Sequence, residues 1–462
     1  MSPKPLFSPT DFRYPVPELY PYLSNEAVVK YEARVEAAIP KVLAKRGKTT
    51  QKIANEIESA CSQVKLKEVE MEEKNTKHWS RALANVIRNK VSDEAKPVVH
   101  LTATSFDIVD TATALRYKDA TKNVIIPDMV ELEKIWIQLA IDKHLTKQIG
   151  RTHGQWAEPI TFGFGMAWYI DRWGGRILKV KEASENLVGK LSGAVGAYNA
   201  SSLFFDKPEE FEKEVLKELD LKPAYISTQI VPPEPVTDYM HSIISGFGVL
   251  TDYVRTMRNL QRSEIAEIGE PFEEEKQVGS STMPQKQNPI NFENVESAWK
   301  EFMPRMMTMY MDQISEHQRD LTNSMSQRYS AEALVIFDSS VRRMIKISKK
   351  LEVNRENMKL NFERSKDRTV AEPLYIALAA HGHPDAHEYV RKLALKAKKE
   401  KRPLKKIIFE DENLKPYLGK FTPTQIAAIR DPSKYTGIAD TKTLKAASYW
   451  QSKLIEEGLW LD

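Results

Sequence analysis

Apolar side chains return every three or four residues along the middle of the chain. Ile243, Phe247, Leu250, Val254 and Met257 step by four, three, four and three, and Val295, Trp299, Phe302, Met306 and Met309 repeat that rhythm. Such spacing puts one apolar stripe on one helix face, so both segments predict long bundle helices whose methionines fill a core and ligate nothing. From Asn25 to Leu43, Ala, Val and Ile recur at the same steps, and more helix is predicted from Thr49 to Val91. Runs alternating apolar and polar residues between hairpin turns are hard to find, and Gly supplies only 18 of 462 residues. The pattern therefore predicts an all-α fold built on an extended helical bundle.

Two interruptions divide this pattern. One falls near residue 110, after the loop-like VVHLTATSFD, and the other near residue 350, where ISKKLEVNRENM leads into shorter, more charged helices. They predict an N-terminal helical domain (1–110), a central long-helix bundle (111–350) and a small C-terminal helical domain (351–462). No internal repeat or low-complexity tract is present.

Composition removes several classes of function. At 41% hydrophobic and 29% charged residues the chain has material for an ordinary core. Lys and Arg number 68 against 64 Asp and Glu, with neither sign gathered into a block, which gives little support for nucleic-acid binding. The single cysteine, Cys61, excludes an intramolecular disulfide and a cysteine-pair zinc site, and is expected to be a small buried hydrophobe in a reducing compartment. Pro3, Pro5, Pro9, Pro15, Pro17 and Pro21 deny the start of the chain a signal-peptide apolar segment. No apolar run approaches the roughly 18 residues that span a bilayer. A soluble, cytoplasmic protein with no nucleic-acid or membrane partner is expected.

Candidate chemistry concentrates between Gly279 and Asn294, in GSSTMPQKQNPINFEN, a polar segment bracketed by helical stretches. A Gly, two adjacent Ser and a Pro make a poor helix and a good loop. By residue type it is either an ordinary surface loop or a site in which Ser280 or Ser281 acts as base or nucleophile. In the second case the charge of Lys286 favours the anion, and backbone N–H groups form an anion hole.

The loop resembles the signature of the fumarase/aspartase superfamily, GSSxMPxKxN, at seven fixed positions. VVHLTATSFDIVDTA from Val98 and GRTHGQWAEPITFG from Gly150 resemble the superfamily's other characteristic segments. The resemblance implies a three-domain fold whose central bundle builds a homotetrameric core, with each active site shared by three subunits. It also implies trans β-elimination of fumarate from a succinyl compound, with no cofactor and no metal. The hard step removes a carbon-bound proton beside a carboxylate, because the product is a doubly charged aci-carboxylate.

Carried over residue by residue, the resemblance makes Ser280 the general base and His153 the general acid that protonates the leaving nitrogen. Glu293 falls where a glutamate orients that histidine and raises its pKa. Lys286 and Asn288 fall on holders of the succinyl carboxylates, and the amides near Ser281 on stabilisers of the aci-carboxylate. His78, within EKNTKHW, and His100 match histidines beside the substrate. Thr104, Ser105 and Thr152 match positions that hydrogen-bond its carboxylates, and Asp107 and Met283 belong with the substrate-binding set.

One branch of the superfamily, which acts on succinylated purine nucleotides, is matched more closely. RDLTNSMSQR places Arg319, Ser324 and Arg328 at the spacing of that branch's nucleotide-binding segment, and two guanidiniums with a hydroxyl suit a phosphate monoester. Arg13 and Tyr14 match a nucleotide-contacting pair, Gln229 in STQIVP matches a substrate-binding glutamine, and the segment from Ala371 resembles the branch's small terminal domain. Departures are Gln285, where the branch usually has His and argininosuccinate lyases have Gln; the non-basic PPEP after Gln229; Phe106 in place of a polar residue; and Trp79 in place of Asp. An argininosuccinate lyase or a cycloisomerase of the same fold would not need the phosphate set. A non-catalytic protein on this scaffold would not need Ser280, Lys286, Asn288, His153 and Glu293 together. His381, His383 and His387 have metal-like spacing but no converging acidic or Cys partner, and are read as a turn and the first turn of a helix.

Overall fold

The computed structural model describes residues 7–272 and 277–460, so the first residues of the Pro-rich start, Pro3 and Pro5 among them, lie outside it. Helices dominate, and the described strands form three small two-stranded pieces. The chain divides into two compact units: Met1–Met129, Gly175–Gly248 and Ser297–Arg342 make the first, and Val130–Gly174, Val249–Glu296 and Arg343–Asp462 the second.

In the first unit, the helix Asn25–Lys45 begins where the Ser24 hydroxyl accepts the Ala27 N–H at 3.2 Å, and it carries Pro40 without ending there. It packs on the helices Gln51–Ser62 and Ser105–Ala120. The stretch predicted as helix from Thr49 to Val91 is three helices, the others being Leu66–Thr76 and Trp79–Arg88. The chain turns between these two because Lys77 enters the left-handed region at φ 53° and His78 caps the next helix, its Nδ1 accepting the Arg81 N–H at 3.2 Å. Tyr117 stacks on Tyr239 at 5.7 Å, and Phe247 meets Phe337 edge-on at 5.8 Å. The predicted stripe through Met309 is interrupted: Pro304 has no N–H to continue the ladder, so the helix Ile290–Phe302 stops and Arg305–Met311 starts afresh.

The second unit is built around buried aromatic rings. Trp136 lies 4.4 Å from Tyr253 and 5.8 Å from Trp173, and donates its indole N–H to Ser348 Oγ at 3.2 Å. Gly174 is where Trp450 presses in, since a Cβ there would sit 2.3 Å from the indole. Residues 370–429 have a core of their own, from Val370, Leu374 and Leu378 to Ile408, Leu414 and Ile429. Here His381 stacks on Phe421 and lies 3.1 Å from Gln425 Oε1, while His383 sits against Tyr389 and Tyr417 and His387 against Tyr375. These three histidines pack between helices, and no metal-binding cluster of three His, Cys, Asp or Glu occurs among the described residues.

The apolar pattern does not signal the strands. Strands Lys147–Thr152 (β1) and Gln155–Thr161 (β2) form an antiparallel hairpin with a register shift between Ile149 and Arg151. Farther on, Ile268–Gly269 (β3) pairs antiparallel with Glu352–Val353 (β4). No helix among the described residues is long and apolar enough to cross a membrane.

Candidate active site

The segment 279–289 leaves helical geometry and folds back on itself. Ser280 Oγ accepts two backbone N–H groups, from Thr282 at 3.3 Å and Met283 at 3.1 Å, and the Asn288 amide donates to the Gly279 carbonyl at 2.9 Å. Gly279 has no substitute here: a Cβ would stand 2.0 Å from the Lys286 carbonyl oxygen. Ser281, Met283 and Lys286 are exposed on the same loop. The structure differs from expectation in two details. The amides beside Ser281 point at Ser280 Oγ, where they favour its anion, and Asn288 spends one N–H bracing the loop.

His153 stands at the tip of the β1–β2 hairpin. Thr152 pairs with Gln155, and the two connecting residues, His153 and Gly154, have φ of 53° and 72°, which defines a tight turn of the primed kind. Thr152 and His153 are exposed there. Below the tip, the buried Glu267 accepts from Arg151 at 2.7 and 3.2 Å, from Gln148 at 2.7 Å and from Asn361 at 2.9 Å. Among the described residues no ion pair joins His153 to Glu293 within the chain. Glu293 lies on the first turn of Ile290–Phe302 and pairs with Arg258 at 3.6 Å.

A second set of predicted residues gathers in the first unit. His100 and Thr102 take φ of 62° and 71°, conformations that cost a residue with a Cβ roughly 1–2 kcal/mol each. His100 Nδ1 is 2.6 Å from Oε1 of the buried Glu36. Burial pulls the imidazole pKa down, but the Glu36 carboxylate outweighs it and holds the pKa above its usual value. Thr104 and Ser105 start the helix Ser105–Ala120, where Thr104 and Asp107 form a capping box.

Asp107 departs from its expected place among the substrate contacts. It is fully buried, and its carboxylate is taken up by the Lys190 ammonium and by the N–H groups of Thr104 at 2.8 Å, Ser192 at 3.1 Å and Gly193 at 3.2 Å. It holds the loop that presents the threonines. Sequence reasoning also passed over Lys190 and Asp110, whose carboxylate accepts the Val231 N–H at 3.0 Å. Burial pushes Asp110 up to about 6, against that N–H and the charges of Lys190 and Arg319.

The segment 312–325 is a chain of turns, not a charged helix face. Arg319 lies over the Phe106 ring at 4.9 Å, and its Nε, Nη1 and Nη2 are buried without a hydrogen-bond partner among the described residues. The Gln229 N–H donates to the Gln318 carbonyl at 3.4 Å, which brings the STQIVP segment to this loop. Ser324 and Arg328 are exposed, the Arg328 guanidinium donating to the Ser324 carbonyl. His78 is exposed at its helix start, Arg13 is exposed, and the Tyr14 N–H donates to the Pro9 carbonyl at 2.9 Å.

A profile described as lyase matches residues 12–302, and one described as adenylosuccinate lyase C-terminal matches residues 315–426. The adenylosuccinate lyase of Methanocaldococcus jannaschii is 35% identical over 454 residues, covering 96% of each chain. The chain belongs to the adenylosuccinate lyase family. That of Pyrococcus abyssi is 37% identical over 438 residues, covering 93% of this chain and 95% of its own. The family's fold extends to more distant enzymes. The crystal structure of 3-carboxy-cis,cis-muconate lactonizing enzyme from Pseudomonas putida superposes with a TM-score of 0.83 at 22% identity, covering 96% of this chain and 99% of its own.

Within the adenylosuccinate lyase family, two departures found in the sequence acquire physical explanations. Trp79 donates its indole N–H to the buried Glu32 at 2.7 Å, tying the His78 helix to Asn25–Lys45. Phe106 supplies the ring on which the Arg319 guanidinium rests, a cation–π contact at 4.9 Å. Nothing in the structure explains Gln285, which is exposed on the signature loop.

Proposed function

We propose that the chain eliminates fumarate from adenylosuccinate, leaving AMP, and by the same trans β-elimination from the succinylated aminoimidazole carboxamide ribotide SAICAR, leaving AICAR. In this reading Ser280, as an alkoxide supported by the Thr282 and Met283 N–H groups, takes the proton from the carbon next to the one bearing nitrogen. The electron pair moves into the adjacent carboxylate to give the aci-carboxylate, opposite the charge of Lys286 and the remaining donor of Asn288. Collapse of this species forms the fumarate double bond and breaks the carbon–nitrogen bond, while His153 delivers a proton to the departing nitrogen. Thr104, Ser105, Thr152 and His100 hold the carboxylates, with His78 beside them. Arg319, Ser324 and Arg328 take the phosphate, and Arg13, Tyr14 and Gln229 the rest of the nucleotide.

The same reading places the enzyme in the cytoplasm as a homotetramer in which each site draws on three subunits, so that Glu293 of one copy reaches His153 of another. It keeps the division into 1–110, 111–350 and 351–462, supported at the C-terminal end by the separate core of residues 370–429. The observation that carries the substrate is Arg319, a buried guanidinium with three unpartnered nitrogens. A phosphate monoester satisfies such a group, and argininosuccinate has none to offer. An absorbance assay with adenylosuccinate and argininosuccinate side by side tests the choice. Turnover of adenylosuccinate is expected, and turnover of argininosuccinate alone would overturn the assignment.

A further inference from the structure

The segment Glu267-Ile268-Gly269-Glu270 ends in two buried carboxylates, each committed to a different catalytic element. Glu267, immediately before β3, receives Arg151 in a two-point pair and also Gln148 and Asn361, so every acceptor direction is used on the hairpin that carries His153 or on the helix behind it. That helix, Arg355–Thr369, packs on both hairpin strands, and its Asn361 also donates to the Ile265 carbonyl at 2.7 Å. Glu270, at the other end, accepts the N–H groups of Asn291 at 3.2 Å and Phe292 at 2.7 Å and the Asn291 side-chain amide at 2.8 Å. These N–H groups belong to the first turn of Ile290–Phe302, the helix into which the Ser280 loop runs, where a carboxylate is favoured by the free amides and the helix dipole. Between the two carboxylates the strand is fixed by β4, and the Asn354 N–H donates to the Glu267 carbonyl at 2.9 Å.

We infer that this four-residue segment is a two-ended clip, in which Glu267 is a positioning residue for the acid hairpin and Glu270 one for the base loop. The inference rests on the roles given above to His153 and Ser280. Neither glutamate touches substrate. Each acts by fixing the element that does, and a displacement of about 1 Å at a reacting group is enough to cost on the order of 100-fold in rate.

Glu267→Gln and Glu270→Gln, assayed with adenylosuccinate carrying deuterium at the abstracted position, separate the two ends. Both should lower kcat by about 10- to 100-fold with KM little changed. In Glu267→Gln the slow step moves to nitrogen departure, so the isotope effect on kcat should shrink relative to the parent. In Glu270→Gln proton abstraction becomes slower, and the isotope effect should grow. Gln148→Met, which removes one donor from Glu267 and leaves the ion pair, should shift the isotope effect in the same direction as Glu267→Gln, and it serves if the latter fails to fold. An isotope effect that moves the same way at both ends, or an unchanged kcat in folded Glu267→Gln or in Gln148→Met, overturns the clip. A parent enzyme that does not turn over adenylosuccinate would instead overturn the functional reading beneath it.

Discussion

Ser280 owes its assigned role to two N–H groups that its own loop supplies, and His153 owes its place to a tight turn in which its backbone takes a positive φ. If the serine takes the carbon-bound proton, Ser280→Ala should abolish nearly all turnover and still bind substrate, since the carboxylate and phosphate contacts remain. His153→Ala should lose about 10² to 10⁴ in rate. A substrate whose leaving group needs less protonation should rescue His153→Ala more than Ser280→Ala, and equal rescue would show that base and acid are assigned wrongly. Arg319 supports a second prediction. Removing an unpartnered buried guanidinium relieves a desolvation cost in the free protein, whereas each lost charge-assisted phosphate contact weakens binding by roughly 1.5–3 kcal/mol. Arg319→Met should therefore raise Tm and KM together, and a lower Tm with an unchanged KM would contradict the phosphate role. At this scale the sequence was informative where a motif is contiguous, as in Gly279 to Asn288. Lys190 and Glu267 escaped notice because each meets its partner across a long stretch of chain: Asp107 is 83 residues from Lys190, and Arg151 is 116 from Glu267.

Elements were legible in proportion to their periodicity. The helices Asn25–Lys45 and Glu234–Leu260 follow directly from apolar spacing. The β1–β2 hairpin is silent in the sequence, since Pro159 stands within β2 and the turn carries His where Asn or Asp is the usual signal. Side-chain anchors between elements are likewise silent in a pattern, and Trp79 on Glu32 is the clearest case. Burial pushes the Glu32 carboxyl up to about 7, despite the indole donor that opposes the shift. An unfolded glutamate titrates near ~4.3, so the folded state's hold on this proton contributes fully below that pH and is lost as pH rises to about 7. Glu32→Gln keeps an acceptor for Trp79 and has no proton to lose. In urea unfolding at fixed protein concentration, the variant should gain on the parent between pH 4 and 7 by on the order of 3 kcal/mol and level off above that. A difference independent of pH would mean that Glu32 is ionised in the folded protein throughout.

At the scale of the whole molecule, the proposed function asks for more than one chain. Glu293 faces Arg258 in its own chain. Met307, Tyr310, Met311, Ile314, Leu321 and Met325 expose apolar surface along 305–325 that one chain leaves uncovered. The proposed composite tetramer would account for both observations, since in that arrangement each chain would supply its acid to one site and its base to another. The three-way sharing itself came from resemblance, because periodicity specifies that a helix has a buried face and not which copy buries it. Every role assigned here depends on that sharing, so the most direct measurement is subunit mixing. Inactive Ser280→Ala and His153→Ala proteins are dissociated, combined and reassembled, and fumarate release from adenylosuccinate is followed. Regained turnover, absent from either variant alone, is the predicted result, because some sites in the mixed tetramers then contain both an intact serine and an intact histidine. A mixture no more active than its components would show that base and acid come from the same chain, and would contradict the account.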